Sequence, residues 1–139
     1  MPAYDYPPDY GPRAPSFARA TVVPGPAHAT VFISGTAAIR GHATIAPHSA
    51  RLQLECALEN LQAISAACGL GTGLAAGTGA TRHFKVYVRH AADQALVESI
   101  LQERLLTDTD RVSYVQSDIC RAALLVEIEA SLFGVPGMR

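Results

Sequence analysis

The chain has 139 residues, of which 49% are apolar, and a formal net charge of −1. This suits one globular domain that buries roughly two thirds of its unfolded surface. The basic residues are scattered and leave no clustered positive footprint for phosphates, which argues against nucleic acid; no apolar run approaches the ~20 residues of a membrane span.

Residues 1–15 hold Pro2, Pro7, Pro8, Pro12 and Pro15 among Tyr and Asp, a composition that removes backbone donors and favours an extended arm. The same N-terminus, MPAYDYPPDYGPR, lacks the apolar core of a signal peptide, so a cytoplasmic protein without a membrane partner is expected. The domain is expected over residues 16–134, with a short tail at 135–139. Its first segments, ARATVV and ATVFISGTAAI, are β-branched and separated by PGPAH, which predicts two strands joined by a turn. After Pro47, HSARLQLECALENLQAISAACGL places Leu54, Ala57, Leu58, Leu61 and Ile64 at helical spacing, with Gly69 as a stop. The Gly-rich GLGTGLAAGTGATR matches a dinucleotide fingerprint only superficially, because a helix precedes the glycines and a strand follows them. A loop is the better reading. HFKVYVRH then alternates as a strand, AADQALVESILQERLL carries a helical stripe of Ala95, Val97, Ile100, Leu101 and Leu105, and VSYVQSDIC and AALLVEIEASLF supply two closing strands.

The resulting order, β-β-α-β-α-β-β, predicts an α+β single domain: a mixed sheet with two helices packed on one face. Strand alternation sends Leu124, Val126, Ile128 and Ala130 to one side and Leu125, Glu127, Glu129 and Ser131 to the other. With Lys85, Tyr87, Arg89, Tyr114 and Gln116 assigned to that second side, it is too polar for a monomer core and is expected to meet solvent or another subunit. Cys56, Cys68 and Cys120 have no C-x-x-C or paired-His spacing, so reduced thiols are expected, with no metal and no cofactor.

ISGTAAI, the helix ALENLQAISAACGL, KVYVR and CRAALLVEIEA, in this order over roughly residues 16–133, resemble the Rid superfamily, the reactive-intermediate deaminases. The Rid motif G-P-Y-S-Q-A and its strand ending S-G have counterparts in PSFARA and Ser34-Gly35, and the closing Arg before E-I-E has them in Arg121 and Glu127-Ile128-Glu129. YGPRAPSFARA, SGTAAIRGH, KVYVR and QSDICRAALLVEIEA further resemble the C-terminal half of the chorismatases, which hydrolyse chorismate with loss of pyruvate. Those enzymes are about twice as long, and their N-terminal half, itself Rid-like, contributes to substrate binding. Phe17 stands where the Rid motif has Tyr, which counts against Rid-type deamination of enamines or imines.

The resemblance implies a Rid / chorismate-mutase-like fold and a homotrimer with clefts between subunits, acting on a small cyclic or aromatic carboxylate in specialised metabolism. Glu127 matches the chorismatase catalytic acid; enclosure raises a carboxyl pKa and lets it donate a proton. Arg121 matches the arginine that grips a substrate carboxylate, a task for a planar fork of donors. Arg89 and Tyr87 on KVYVR, Tyr114, Cys120, Gly35, Ala37 and Phe17 complete the expected substrate-binding set. Cys120 is read as a lining thiol rather than a nucleophile, since no His adjoins it to lower its pKa. Tyr10 and Arg13 on the arm are candidates to cover the cleft, and His42 lies in a loop matched among the chorismatases. Two other functions compete: an enamine/imine deaminase of Rid type, and a non-catalytic small-molecule-binding or scaffold module.

Overall fold

Strand-forming and helix-forming segments fall close to where their periodicities put them in a computed structural model that describes residues 1–137 of the chain. The strands are β1 (Ala20–Val23), β2 (His28–Ala37), β3 (Ile39–Arg40), β4 (Ala43–Thr44), β5 (Thr81–Val88), β6 (Arg111–Gln116) and β7 (Val126–Pro136). The helices are α1 (Ala50–Ala67) and α2 (Gln94–Arg104). The last two residues of the tail expected at 135–139 lie outside the described residues, and β7 itself continues to Pro136.

Five strands form one mixed sheet in the order β1-β2-β7-β5-β6, and β3 pairs with β4 in a small separate hairpin. All neighbours in the large sheet are antiparallel except β5 and β6. A parallel pair needs a crossover, and α2 supplies it. The two closing strands are therefore not partners. β7 inserts between β2 and β5, while β6 takes the edge; β6 also stops at Gln116, so Ser117–Leu125 is a loop rather than more strand.

Both helices cover one face of the large sheet. Leu54, Leu58 and Leu61 of α1 and Val97, Ile100 and Leu101 of α2 pack with Val31, Ile33, Phe84, Val86, Ile128 and Leu132 of the strands. Full burial of each such side chain contributes about 1.5–3 kcal/mol, enough to make this layer the main source of stability. The Ser49 hydroxyl caps α1 by accepting from Leu52 N at 3.1 Å, and Gly69, at φ +80°, ends it in a left-handed conformation. Ala95, expected on the apolar stripe of α2, is exposed instead: α2 begins at Gln94, and its buried residues are Val97, Ile100 and Leu101.

The register fixes what lies on the uncovered face. Glu127 stands opposite Tyr87 and Ala37, and Glu129 opposite Lys85. Tyr114, however, pairs with Val86 and packs into the helix-covered core, and Gln116 pairs with Val88. Alternation separates two faces of β6 correctly, but the parallel register with β5 decides which one meets the helices, and it turns Tyr114 inward. The uncovered face also carries exposed Phe32 and Phe133, whose rings meet edge-to-face with centroids 6.3 Å apart, and Val115 of β6.

Candidate active site

Where β7 starts, four segments converge: β2 with its irregular step between Ile33 and Thr36, the loop before β7, the β3–β4 hairpin and the N-terminal arm. They enclose a cavity of about 270 Å³ lined by Tyr6, Tyr10, Arg13, Pro15, Phe17, Arg19, Gly35, Ala37, Ile39, Cys120, Arg121 and Glu127. Glu127, Arg121, Cys120, Gly35, Ala37 and Phe17 of the expected set thus line one space, together with the arm residues Tyr10 and Arg13.

Glu127 is half-buried, and no hydrogen bond or ion pair from a described residue holds its carboxylate. Burial pushes its pKa above the ordinary carboxylate range, and the charge of Glu129 on the same strand face pushes it further. Glu129 is better served: Tyr87 OH donates to it at 3.2 Å and Lys85 Nζ lies 3.7 Å away. Two acids one pleat apart thus differ because one faces a cavity and the other faces a cation. Gly35 makes the place of Glu127 possible. A Cβ there would lie 2.6 Å from Glu127 Cδ and 2.7 Å from Oε2, so only glycine lets the carboxyl lie against β2.

Arg121 sits in the loop before β7, and that loop is fixed from two sides. Gln53 of α1, fully buried, donates to Ala123 O at 2.7 Å and accepts from Leu125 N at 2.7 Å. Arg89 donates to Leu124 O at 2.8 Å and to Ile119 O and Arg121 O at 3.0 Å each. The guanidinium of Arg121 then donates through Nη1 to His42 O at 2.6 Å and Thr44 Oγ1 at 3.1 Å. Its Nε and Nη2 have no acceptor, and it has no carboxylate partner, among the described residues. That leaves the side-on edge of the fork, the geometry that grips both oxygens of a carboxylate.

Three expected contacts fall elsewhere. Arg89 spends its donors on loop carbonyls and on Asp118, so it shapes the cavity without lining it. Tyr87 shares the face of Glu127 but hydrogen-bonds Glu129 and packs beside Ala37 and Ile119. Tyr114 lies across the sheet, its hydroxyl buried without a partner among the described residues. Cys120 is at the exposed rim, and partial burial with the charge of Glu127 raises its pKa against the pull of Arg121. It is therefore held as a thiol.

Sequence reasoning missed Tyr6 and Arg19. Tyr6 is only 8% exposed, and its hydroxyl accepts from Arg19 Nη2. Arg19 also stacks over Phe17, with its guanidinium carbon 4.8 Å from the ring centroid. An aromatic in a Pro-rich arm gives no periodic signal of burial, so only a search for cation–aromatic pairs at the arm's junction with β1 would have raised them. The described residues contain no cluster of three or more His, Cys, Asp or Glu able to hold a metal ion.

Comparison with known proteins places this geometry among relatives. No protein-family model matches the chain. It is 46% identical over 138 residues to a 3-hydroxybenzoate synthase of Streptomyces hygroscopicus, covering 93% of this chain and 40% of that protein. It is 42% identical over 134 residues to a chorismatase of Streptomyces rapamycinicus, again covering 93% and 40%. The crystal structure of a chorismatase superposes with a TM-score of 0.80 at 38% identity, over 95% of this chain and 40% of that one. RidA from an Antarctic Psychrobacter superposes at 0.68 with 24% identity, over 86% and 89%, a likeness of fold. The chain spans about 40% of the length of the curated relatives it matches.

Proposed function

We propose that this chain, a Rid-fold protein similar to the chorismatases, is an enzyme that converts a small cyclic or aromatic carboxylate by acid/base chemistry at Glu127. The observation that carries the reading is one cavity holding an acid biased towards its neutral form and an arginine with a free bidentate edge. Arg121 takes the substrate carboxylate, and the aromatic side chains of Tyr6, Tyr10 and Phe17 give the remaining wall a fit for a flat ring. A protonated Glu127 donates to the terminal carbon of an enol ether, and water adds to the oxocarbenium carbon so formed. The resulting hemiketal then collapses to a 2-oxo acid and the ring alcohol, and the proton lost by water restores the acid.

The uncovered sheet face belongs to the same proposal. Phe32, Phe133 and Val115 are apolar and exposed beside His83, Lys85 and Glu129, which supports a subunit contact in a homotrimer that seals the cavity from water. Sealing matters because the raised pKa of Glu127 comes first from lost hydration.

The test is pyruvate release from chorismate by wild type and Glu127→Gln, after both elute at the same size. Wild type is expected to turn over and the variant to lose about 10²–10⁴-fold, the usual contribution of one general acid. Equal turnover would remove Glu127 from the chemistry. A second reading, a binding module that works with a larger Rid-like partner, is favoured by the 40% span of the relatives. It is distinguished by carboxylate binding without turnover that appears only when the partner is supplied.

A further inference from the structure

The arm covers the cavity without being part of the sheet. Over residues 1–17, every backbone–backbone hydrogen bond among the described residues is local: Asp5 N to Pro2 O, Tyr6 N to Ala3 O and Gly11 N to Pro8 O. Its place is therefore set by side chains, and the contact made by Tyr10 bears directly on Arg121. The Tyr10 ring lies flat against the guanidinium, with the centroid 3.6 Å from the guanidinium carbon. The Tyr10 hydroxyl hydrogen-bonds His42 Nδ1 at 2.9 Å, and the carbonyl of the same His42 accepts from Arg121 Nη1 at 2.6 Å. Tyr10, His42 and Arg121 thus close a triangle in which each member touches the other two.

We propose that Tyr10 is a positioning residue for Arg121: anchored on His42, its ring fixes the guanidinium plane so that Nε and Nη2 point at an incoming carboxylate. The two interactions use different parts of the same group. Stacking on an aromatic ring uses the face of the guanidinium, whereas a carboxylate uses its edge, so the ring does not compete with a ligand. Without the ring, Arg121 keeps its Nη1 bonds to His42 O and Thr44 Oγ1 and the more distant Tyr6 ring at 5.5 Å but loses the close contact on its face, and ordering the guanidinium plane again on binding weakens affinity. Docking of the arm and capture of an anion are consequently coupled through one side chain. The inference rests on the assignment of Arg121 as carboxylate anchor, and the experiment separates the two.

Binding of 3-hydroxybenzoate is measured by calorimetry for wild type, Tyr10→Ala, Tyr10→Phe, Arg121→Ala and the Tyr10→Ala/Arg121→Ala double variant. Tyr10 is 42% exposed, so its single variants are expected to fold, and a thermal melt of every variant, those at Arg121 included, verifies it. The expected result is an affinity loss of about tenfold for Tyr10→Ala, on the scale of a cation–aromatic contact. Tyr10→Phe keeps the stack and stays within about threefold of wild type. In the Arg121→Ala background the Tyr10→Ala change is silent. A Tyr10→Ala effect of equal size in both backgrounds would make Tyr10 a mere roof and overturn the proposal, as would wild-type affinity in Tyr10→Ala. If wild type and Arg121→Ala bind alike, or neither binds, the anchor assignment itself falls and takes this inference with it.

Discussion

The two ends of the β5–β7 ladder each hold an arginine and an acid, and they treat them in opposite ways. At the far end, Arg82 is 2% exposed, and its Nε and Nη2 both donate to Asp110, the former at 2.8 Å. Its remaining donors reach Leu105 O at 2.9 Å and Gly73 O at 3.2 Å, tying the Gly-rich turns and the end of α2 to the sheet. Burial alone would raise the pKa of Asp110, but the Arg82 bonds and the Thr107 backbone N–H hold it below the ordinary carboxylate range. Among the described residues, each side-chain nitrogen of Arg82 and each carboxylate oxygen of Asp110 has a partner. At the near end, Arg121 and Glu127 line one cavity without answering each other. The far-end pair is satisfied within the chain, whereas the proposed function assigns the open groups of the near end to a ligand.

The sharpest way to test this contrast is to break the satisfied end. Arg82→Ala leaves Asp110 buried with most of its partners gone and is expected to cost about 3–5 kcal/mol in denaturant unfolding. Cavity binding under native conditions should persist in whatever fraction stays folded. A loss below ~1 kcal/mol would mean the pair holds little and would blur the distinction. At the other end, Gly35→Ala drives a methyl group into the space of the Glu127 carboxyl. Turnover is expected to fall about a hundredfold through misplacement of the acid, with a stability cost of about 1–3 kcal/mol.

A smaller effect is expected in the pH dependence of folding, and the two ends should give opposite signs. The folded-state pKa of Glu127 is raised, so its contribution is fully present below the ordinary carboxylate value. That contribution drains as pH rises through the raised value. Asp110 is lowered, so its contribution is present above the ordinary value and is lost as pH falls through the lowered one. Chemical melts of wild type and Glu127→Gln across this range should diverge in favour of the variant as pH rises. Parallel curves would place the Glu127 carboxyl in water.

What the sequence disclosed follows from the length scale of each signal. Period-two alternation is local, and it placed Glu127 and Glu129 on the same face of β7 without knowledge of any neighbour. The 3.6-residue spacing of Leu54, Leu58 and Leu61 located α1 in the same way. Tyr114 and Arg89 depend on longer-range facts. The face that Tyr114 takes is decided by pairing with Val86, and the fate of Arg89 by carbonyls that arrive some 30 residues later. The arm is harder still. Its buried Tyr6 and its Tyr10–Arg121 stack come from cation–aromatic contacts between distant positions, which leave no periodicity in the chain. That Glu127 shares a face with Glu129 was legible in the sequence, and the arm contacts that surround Arg121 were not.

The account turns on Glu127 lying away from bulk water with a proton held longer than a carboxylate ordinarily holds it. The direct measurement is a carbon-13 NMR titration of the glutamate carboxyl carbons in the intact protein, with the Glu127 resonance assigned by its absence in Glu127→Gln. A midpoint above the ordinary carboxylate range is the predicted result. A midpoint inside or below that range would contradict the central claim.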